Sequence, residues 1–300
     1  MDHFDGIEFL TPKTLEEALK LKEQHKSNIV LMSGGTDVLV SIRGGHPRFK
    51  KPNILNIGLL EELKFIKEEN DYIAIGSANT HSELIESSLI QNFMPHLADA
   101  VSRIGSTQIR NQGTICGNLV MASPAGDSIG PLVTREAKIV AKSSKNVRII
   151  PIKEFLIGPG QTSLKEDEIV VEIRVPKTPI NWFKKYISLR QRKALSCNKV
   201  SVSLELNLDD ENSVIEARIA LGAVAPTVVR AKKTEAFLKG KILEKENLEL
   251  FKKAEELANS ECSPIDDTRS NKNYRKIMTG ILVSKALRMA CGIQDTELLI

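Results

Sequence analysis

Hydrophobic spacing changes along the chain and divides it into three parts. In residues 1–52, "TPKTLEEALKLKEQ" sets Leu15, Ala18 and Leu19 on one helical face behind Thr14 and Glu17, which carry a capping-box signature. "NIVLM" (28–32) is a short unbroken apolar run and predicts a buried strand. The turn "SGGTD" (33–37) follows, and "VLVSIRGG" continues into another short element, so the unit reads as a small α/β fold. "KPNILNI" (51–57) predicts a strand that opens a second unit, residues 53–176. There "YIAIGSANT" (72–80), "AKIVAKSS" (137–144), "VRIIPIKEFL" (147–156) and "EIVVEIRVP" (168–176) read as strands. Residues 81–104 have helical spacing, with Pro95 starting a new helix. Pro176 and Pro179 punctuate the boundary to a third unit, residues 177–300. Its stretches 199–210 and 215–226 alternate like antiparallel strands around the turn "DDEN". Helices are predicted at 234–240, 245–260 and 271–292, the last with an apolar face of Tyr274, Ile277, Met278, Ile281 and Leu282. Strands followed by helices give an α+β fold class.

One segment resists the pattern. Residues 105–131, "GSTQIRNQGTICGNLVMASPAGDSIGP", have weak periodicity and predict a long irregular polar stretch. Such a stretch inside a compact domain is more often functional than accidental.

Composition narrows the function. The 300 residues favour two or three domains. Aromatic residues are only 4%, so the cores must rely on Ile, Leu and Val. The net charge is +4 with scattered Lys and Arg, which speaks against nucleic-acid or membrane-surface binding. No apolar segment approaches the ~18–20 residues of a membrane span. The start "MDHFDGIEFL" is acidic and lacks the basic and apolar regions of a signal peptide. Cys116, Cys197, Cys262 and Cys291 lie far apart with no CxxC, so neither zinc nor an iron–sulfur cluster is expected in this chain. A reducing cytoplasm is the expected compartment. His3, His25, His46, His81 and His96 show no metal spacing and are assigned surface or structural roles. Asp266, Asp267 and Arg269 are expected to cap or brace the last helix, with a subunit interface as the other reading.

Two glycine turns carry candidate chemistry. In "SGGTD", Gly34 and Gly35 permit positive φ and close approach, successive amides can form an anion nest, and Ser33 and Thr36 add hydroxyls. That suits a pyrophosphate cradle. The pattern is neither GxGxxG nor a P-loop, and a tight strand-to-helix turn also explains it. "TICGNL" (114–119) repeats the theme with Thr114, Gly117 and Asn118. Asp127, nine residues beyond Asn118, has the chemistry to accept from ribose hydroxyls or a ring N–H. An ordinary loop with Asn and Asp capping nearby turns remains the alternative. Two such turns at the mouth of one cleft favour a dinucleotide.

"SGGTD" (33–37), the run from Gly105 to Asp127 and "ARIALGAVAPTVVRA" (217–231) resemble the FAD-binding medium subunit of molybdenum hydroxylases. That family includes xanthine dehydrogenase and carbon monoxide dehydrogenase. "KVSVSLEL" (199–206) and "DDTRSNKNYRKIM" (266–278) extend the likeness over nearly the full chain. The resemblance implies a two-part FAD-binding region of the vanillyl-alcohol oxidase-like (PCMH) type, at 1–52 and 53–176. A C-terminal α+β domain with an antiparallel sheet and helices follows at 177–300. It implies noncovalent FAD between the first two units. Leu31, Met32, Ser33, Gly34, Gly35, Thr36, Asp37 and Val38 would surround the pyrophosphate, with Thr36 a donor. Thr114, Ile115, Cys116, Gly117 and Asn118 match the second FAD motif, Gly105 starts the loop into it, Asp127 matches an FAD contact and Val170 an apolar position against the cofactor.

Two residues depart from the family pattern. Cys116 replaces the first glycine of Thr-Ile-Gly-Gly-Asn, which implies ordinary backbone there and a small buried filler rather than a redox thiol. Ser188 stands where the family often has a lysine near the flavin ring, and losing that cation would lower the flavin potential. Lys184, Lys185 or Arg190 are candidate substitutes, and a solvated basic face is the simpler reading of "KKYISLRQRKAL". By resemblance, hydroxylation occurs at molybdopterin on a large partner subunit. Electrons pass through [2Fe–2S] clusters on a small partner to FAD and leave to NAD or another acceptor. A dimer of such heterotrimers is one assembly open to it. The competing readings are a stand-alone FAD oxidoreductase of the same superfamily and a non-enzymatic fold relative.

Overall fold

The computed structural model describes residues 6–46, 53–192 and 195–293; His3 lies outside the described residues. The N-terminal unit comprises β1 (Phe9–Leu10), α1 (Leu15–His25), β2 (Ile29–Met32), α2 (Val38–Arg43) and β3 (Asn53–Asn56). The Thr14 hydroxyl accepts from the Glu17 amide at 3.2 Å and starts α1. The Glu17 carboxylate, however, accepts from the Lys13 amide at 2.7 Å, so the predicted box closes one residue early. A complete capping box occurs instead at Thr80 and Glu83. The three strands form a parallel sheet in the order β1-β3-β2. This corrects the reading of 51–57: its described part, β3, is the middle strand of the first sheet and opens no new unit. Ile54 and Leu55 are fully buried there, an apolar pair that one short run could not assign to either neighbour.

The middle unit begins with β4 (Ile66–Glu68) and β5 (Tyr72–Gly76). Six short helices follow: α3 (His81–Glu86), α4 (Ser88–Phe93), α5 (Pro95–Ser102), α6 (Thr107–Gln112), α7 (Ile115–Val120) and α8 (Ile129–Thr134). Then come β6 (Lys138–Lys142), β7 (Val147–Pro151), α9 (Ile152–Phe155), β8 (Leu156–Gly158), β9 (Gln161–Thr162) and β10 (Ile169–Pro176). Its main sheet runs β4-β5-β10-β6-β7, antiparallel throughout. Alternate residues Ile73 and Ile75, Ile139 and Ala141, Ile173 and Val175 face one core with Leu84, Leu97, Leu119 and Leu132 of the helices. Ile169 packs instead with Leu19, Leu55 and Leu60, which seats the N-terminal unit on the sheet.

Two predictions fail here for a common reason. Residues 105–131 are not irregular but carry α6, α7 and α8, each of six residues. Segments under two turns are too short for a 3.6-residue period to emerge. Residues 147–156 are not one strand, because the chain turns from β7 into α9 directly after Pro151.

The C-terminal unit contains β11 (Phe183–Arg190), β12 (Asn198–Leu208), β13 (Val214–Gly222), β14 (Val229–Arg230), α10 (Lys232–Leu238), α11 (Leu248–Ser260) and α12 (Lys272–Ala290). Its sheet is antiparallel in chain order, and α10 to α12 share a core with β12 and β13. The basic run read as a solvated face is therefore β11, with Tyr186 buried. The face of α12 is also rotated from its prediction. Tyr274 and Ile277 are 41% and 56% exposed, and the buried stripe runs through Arg275, Met278, Leu282, Val283 and Ala286. Arg275 turns inward because Asp267 pairs with it and the Ala223 carbonyl accepts from its Nη1 at 3.2 Å. Asp267 also holds Arg269, and Asp266 accepts from the Lys272 amide at 2.6 Å, so the acidic pair braces this helix as expected.

A buried cluster joins the middle and C-terminal units. Arg135, directly after α8, pairs with Glu205 of β12 and donates to the Pro176 carbonyl at 2.9 Å and to that of Phe93. Both side chains of the pair are fully enclosed. His96 Nε2 lies 3.3 Å from Glu205, but burial first, then the charge of Arg135, pushes the imidazole well below its ordinary pKa. It is neutral, so this contact is not an ion pair. Among the described residues no helix is long and apolar enough to cross a membrane.

Candidate functional site

A cleft of about 810 Å³ opens between the N-terminal and middle units. Its volume suits a ligand of cofactor size. One wall starts at the carboxyl ends of the parallel strands, where β2 runs into residues 33–37 and then α2, the usual place for a ligand in such sheets. Leu31, Ser33, Gly34, Gly35, Thr36, Asp37 and Val38 lie on that wall. Gly105, Thr114, Cys116, Gly117, Asn118, Asp127 and Val170 of β10 line the same cleft. The structure thus brings most of the expected residues to one cavity. Met32, Ile115 and Ser188 are not on its wall. Met32 packs near Val38, Ile42 and Ile54, Ile115 is core, and Ser188 sits on β11, where its hydroxyl accepts from Arg190 Nε at 3.1 Å.

The glycines of the first turn have separate causes. Gly35 has φ +71°, which an L side chain adopts only under strain. Gly34 does not; a Cβ there would lie 1.8 Å from the Gln112 carbonyl oxygen. Its bareness lets the first turn abut the end of α6, a backbone approach within the protein itself. The second turn is fastened in the same way. His81 N donates to Gly113 O at 2.9 Å, and Ile115 N to Asn79 O at 3.1 Å. Three segments therefore converge at the cleft: 33–37, 77–81 and 112–118.

The second turn uses part of its chemistry internally. The Thr114 hydroxyl caps α7 by accepting from the Gly117 amide at 3.1 Å, and Asn118 Oδ1 accepts from the Ser128 hydroxyl at 2.7 Å. Asp127 is more committed still. Its Oδ1 accepts from Tyr186 at 2.7 Å, from Asn198 Nδ2 at 2.9 Å and from Arg190. Arg190 in turn donates to the carbonyls of Arg103 at 2.7 Å and Ser196 at 2.9 Å. Burial, then the adjacent Asp127 charge, pushes the Tyr186 phenol well above its ordinary pKa, so it stays a neutral donor. This hub ties β11 and β12 to the cleft and sets Arg190 and Cys197 on its rim. Tyr186 and Asn198 gave no sequence signal, since isolated polar residues in a strand carry no period.

Cys116 lies in the first turn of α7 with ordinary helical backbone and is buried. Burial pushes its thiol up to about 12. A redox role at neutral pH is accordingly disfavoured. Cys197 is exposed. Iodoacetamide applied to the native protein at pH 8 is expected to label Cys197 and leave Cys116 untouched in peptide mass spectra. Equal labelling of the two would refute the assignment of Cys116 as inert packing.

The polar inventory fits an anionic, hydroxyl-bearing dinucleotide. The Ser33 hydroxyl, the Ser77 hydroxyl and His81 Nδ1 belong to wall residues and have no protein partner, although buried polar atoms are nearly always satisfied. Gly113 is hemmed in by protein: a Cβ there would lie 3.0 Å from the Ile109 carbonyl oxygen and 3.3 Å from both Thr36 Oγ1 and His81 Cδ2, so its bareness lets these groups meet. Ser77, His81, Ile104 and Ile109 were missed by sequence reasoning; only position, not residue type, marks them.

A cleft of this kind, between a parallel α/β unit and an antiparallel sheet layered with helices, is a binding site for a cofactor-sized ligand. Residues 4–178 match the family described as the FAD binding domain in molybdopterin dehydrogenase, and residues 184–290 match the CO dehydrogenase flavoprotein C-terminal domain. The chain is 32% identical to the carbon monoxide dehydrogenase medium chain of Hydrogenophaga pseudoflava, over 95% of this chain and 96% of that one. It is 32% identical to a xanthine dehydrogenase FAD-binding subunit of Escherichia coli O157:H7, over 96% and 99%. The solved carbon monoxide dehydrogenase from Hydrogenophaga pseudoflava superimposes with a TM-score of 0.89 at 30% identity, covering 95% of this chain and 97% of the other. The chain belongs to the FAD-binding medium subunits of the molybdenum hydroxylases and is an oxidoreductase component.

Proposed function

We propose that this chain receives electrons from [2Fe–2S] clusters on a small partner subunit and passes them through FAD, bound in the cleft, to NAD or another acceptor. Hydroxylation would take place at molybdopterin on a large partner subunit. The observation that carries the reading is one cleft lined by both glycine turns, with unpartnered hydroxyls on its wall. Bound FAD supplies a redox centre able to exchange electrons with both one-electron and two-electron partners. The protein's part is to bind and orient it. The nest of residues 33–37 and Thr36 suit the diphosphate, and Gly117 and Asn118 border the same space. Val170 offers an apolar surface. Arg190 contributes a cation at the rim, its charge offset by Asp127.

The names of the relatives support the division of labour, since they are medium chains and FAD subunits of dehydrogenases. Four free thiols suit a reducing compartment such as the cytoplasm. Affinity-tagged chain purified from its own cells tests the reading. Expected are noncovalent FAD and two co-purifying subunits, one bearing molybdenum and one bearing [2Fe–2S]. A chain recovered alone and colourless would overturn it. Anaerobic NADH should bleach the flavin of the complex if NAD is the acceptor; no bleaching points to another acceptor. The native mass distinguishes one heterotrimer from a dimer of them.

A further inference from the structure

We propose that His81 is a positioning residue for the cofactor's diphosphate and takes up a proton as the diphosphate binds, an inference that rests on the proposed function above. His81 opens α3 and is 2% exposed, yet its Nδ1 has no hydrogen-bond partner. A buried imidazole nitrogen left unpaired is destabilising and favours any ligand that satisfies it. The residue lies on the cleft wall, beside Gly113 and opposite Thr36. A half-turn about its χ2 exchanges Nδ1 with Cδ2, the ring edge that meets Gly113 together with Thr36 Oγ1. The ring is nearly symmetric in outline, so the turn needs no new space. It brings a nitrogen to the edge of the ring nearest Thr36 of the 33–37 turn. The Ser33 and Ser77 hydroxyls, also unpartnered on this wall, offer further donors to the same ligand.

Charge decides why the ligand there would be a diphosphate rather than a neutral group. Burial first, then the positive charge of Arg110 on α6, pushes the imidazole down to about 4. Among the described residues no anion is placed to offset this. On α3 itself, Glu83 is turned back to the Thr80 amide; Glu86 resides at the far end of that helix. On α5, Asp99 is paired with Arg103, and His96 is neutral. α4 carries no titratable side chain, and Asp37 of the first turn accepts from the Ser41 hydroxyl. An anionic ligand in the cleft beside Thr36 would supply the missing negative charge and raise the pKa.

The sign follows from linkage. Without ligand, the folded imidazole at about 4 lies below the unfolded value of 6.5, so stability present above 6.5 is lost as pH falls toward 4. Bound diphosphate reverses this by holding the proton, so FAD affinity should rise as pH falls from 7 toward 5.

The test uses the assembled complex stripped of its flavin. FAD is titrated calorimetrically at pH 6 in two buffers of different ionisation enthalpy, and riboflavin, which lacks phosphate, is titrated in parallel. Expected is net proton uptake on FAD binding to the wild type. His81→Gln should abolish that uptake and weaken FAD about tenfold while leaving riboflavin binding unchanged. Unaltered proton uptake or FAD affinity in His81→Gln would overturn the inference, and so would an equal loss for FAD and riboflavin, which marks a structural role. His81→Asn, checked by near-UV circular dichroism, replaces the first variant if that one misfolds. Failure of the wild-type complex to bind FAD at all would count against the proposed function instead.

Discussion

Gly34→Ala is expected to strip the protein of flavin. The new methyl would lie 1.8 Å from the Gln112 carbonyl oxygen and 2.5 Å from its carbon, and both are backbone atoms that cannot rotate away. The turn at 33–37 must therefore lift off the end of α6. Overpacking of this kind costs about 1–3 kcal/mol. The larger effect is geometric, because the turn carries Ser33 and Thr36 on the cleft wall and abuts the segment leading into Thr114. Flavin content should fall at least about tenfold, equivalent to ~1.4 kcal/mol of binding free energy. Absorbance near the flavin band per chain measures it. Gly44→Ala is the control, since its Cβ would meet nothing closer than 3.3 Å. Full flavin occupancy in Gly34→Ala would show that the contact with Gln112 does not set the turn.

Glu205→Ala should have the largest effect on stability. It leaves the enclosed Arg135 guanidinium without its counter-ion while the carbonyls of Phe93 and Pro176 still hold it in place. Removing one partner of a buried pair costs about 3–5 kcal/mol. In a protein of this size that lowers Tm by roughly 10 °C. Glu205→Gln keeps an acceptor for Arg135 and should lose distinctly less. A melting curve for Glu205→Ala that overlays the wild type would mean the pair contributes nothing net.

Much of the fold was legible because long elements state their period. α11 and α12 were found at nearly their true positions, and β5, β6 and β10 read as strands from their unbroken or alternating apolar runs. What failed was short or paired from afar. β3 has two strand neighbours, and only three-dimensional pairing tells which sheet owns it. The face of α12 was misjudged because Arg275 is buried by a partner eight residues upstream, which hydrophobic spacing cannot register. The cleft was legible where glycine, hydroxyl and amide residues cluster in sequence, at 33–37 and 114–118. Arg190 was recognised only as a stand-in for Ser188, and His81 was dismissed, because burial and an unmet nitrogen are properties of the folded chain.

The Arg135–Glu205 pair and the Asp127 hub both fasten one join. The two family matches meet between residues 178 and 184, a seam in ancestry. Arg135 and Asp127 lie before that seam, and Glu205, Tyr186, Arg190 and Asn198 lie after it. A fragment ending at Thr178 would keep every cleft residue that precedes it yet leave a buried cation and a buried carboxylate orphaned at once. The seam is thus a boundary of descent and not of folding: the two halves should melt together, in one calorimetric peak.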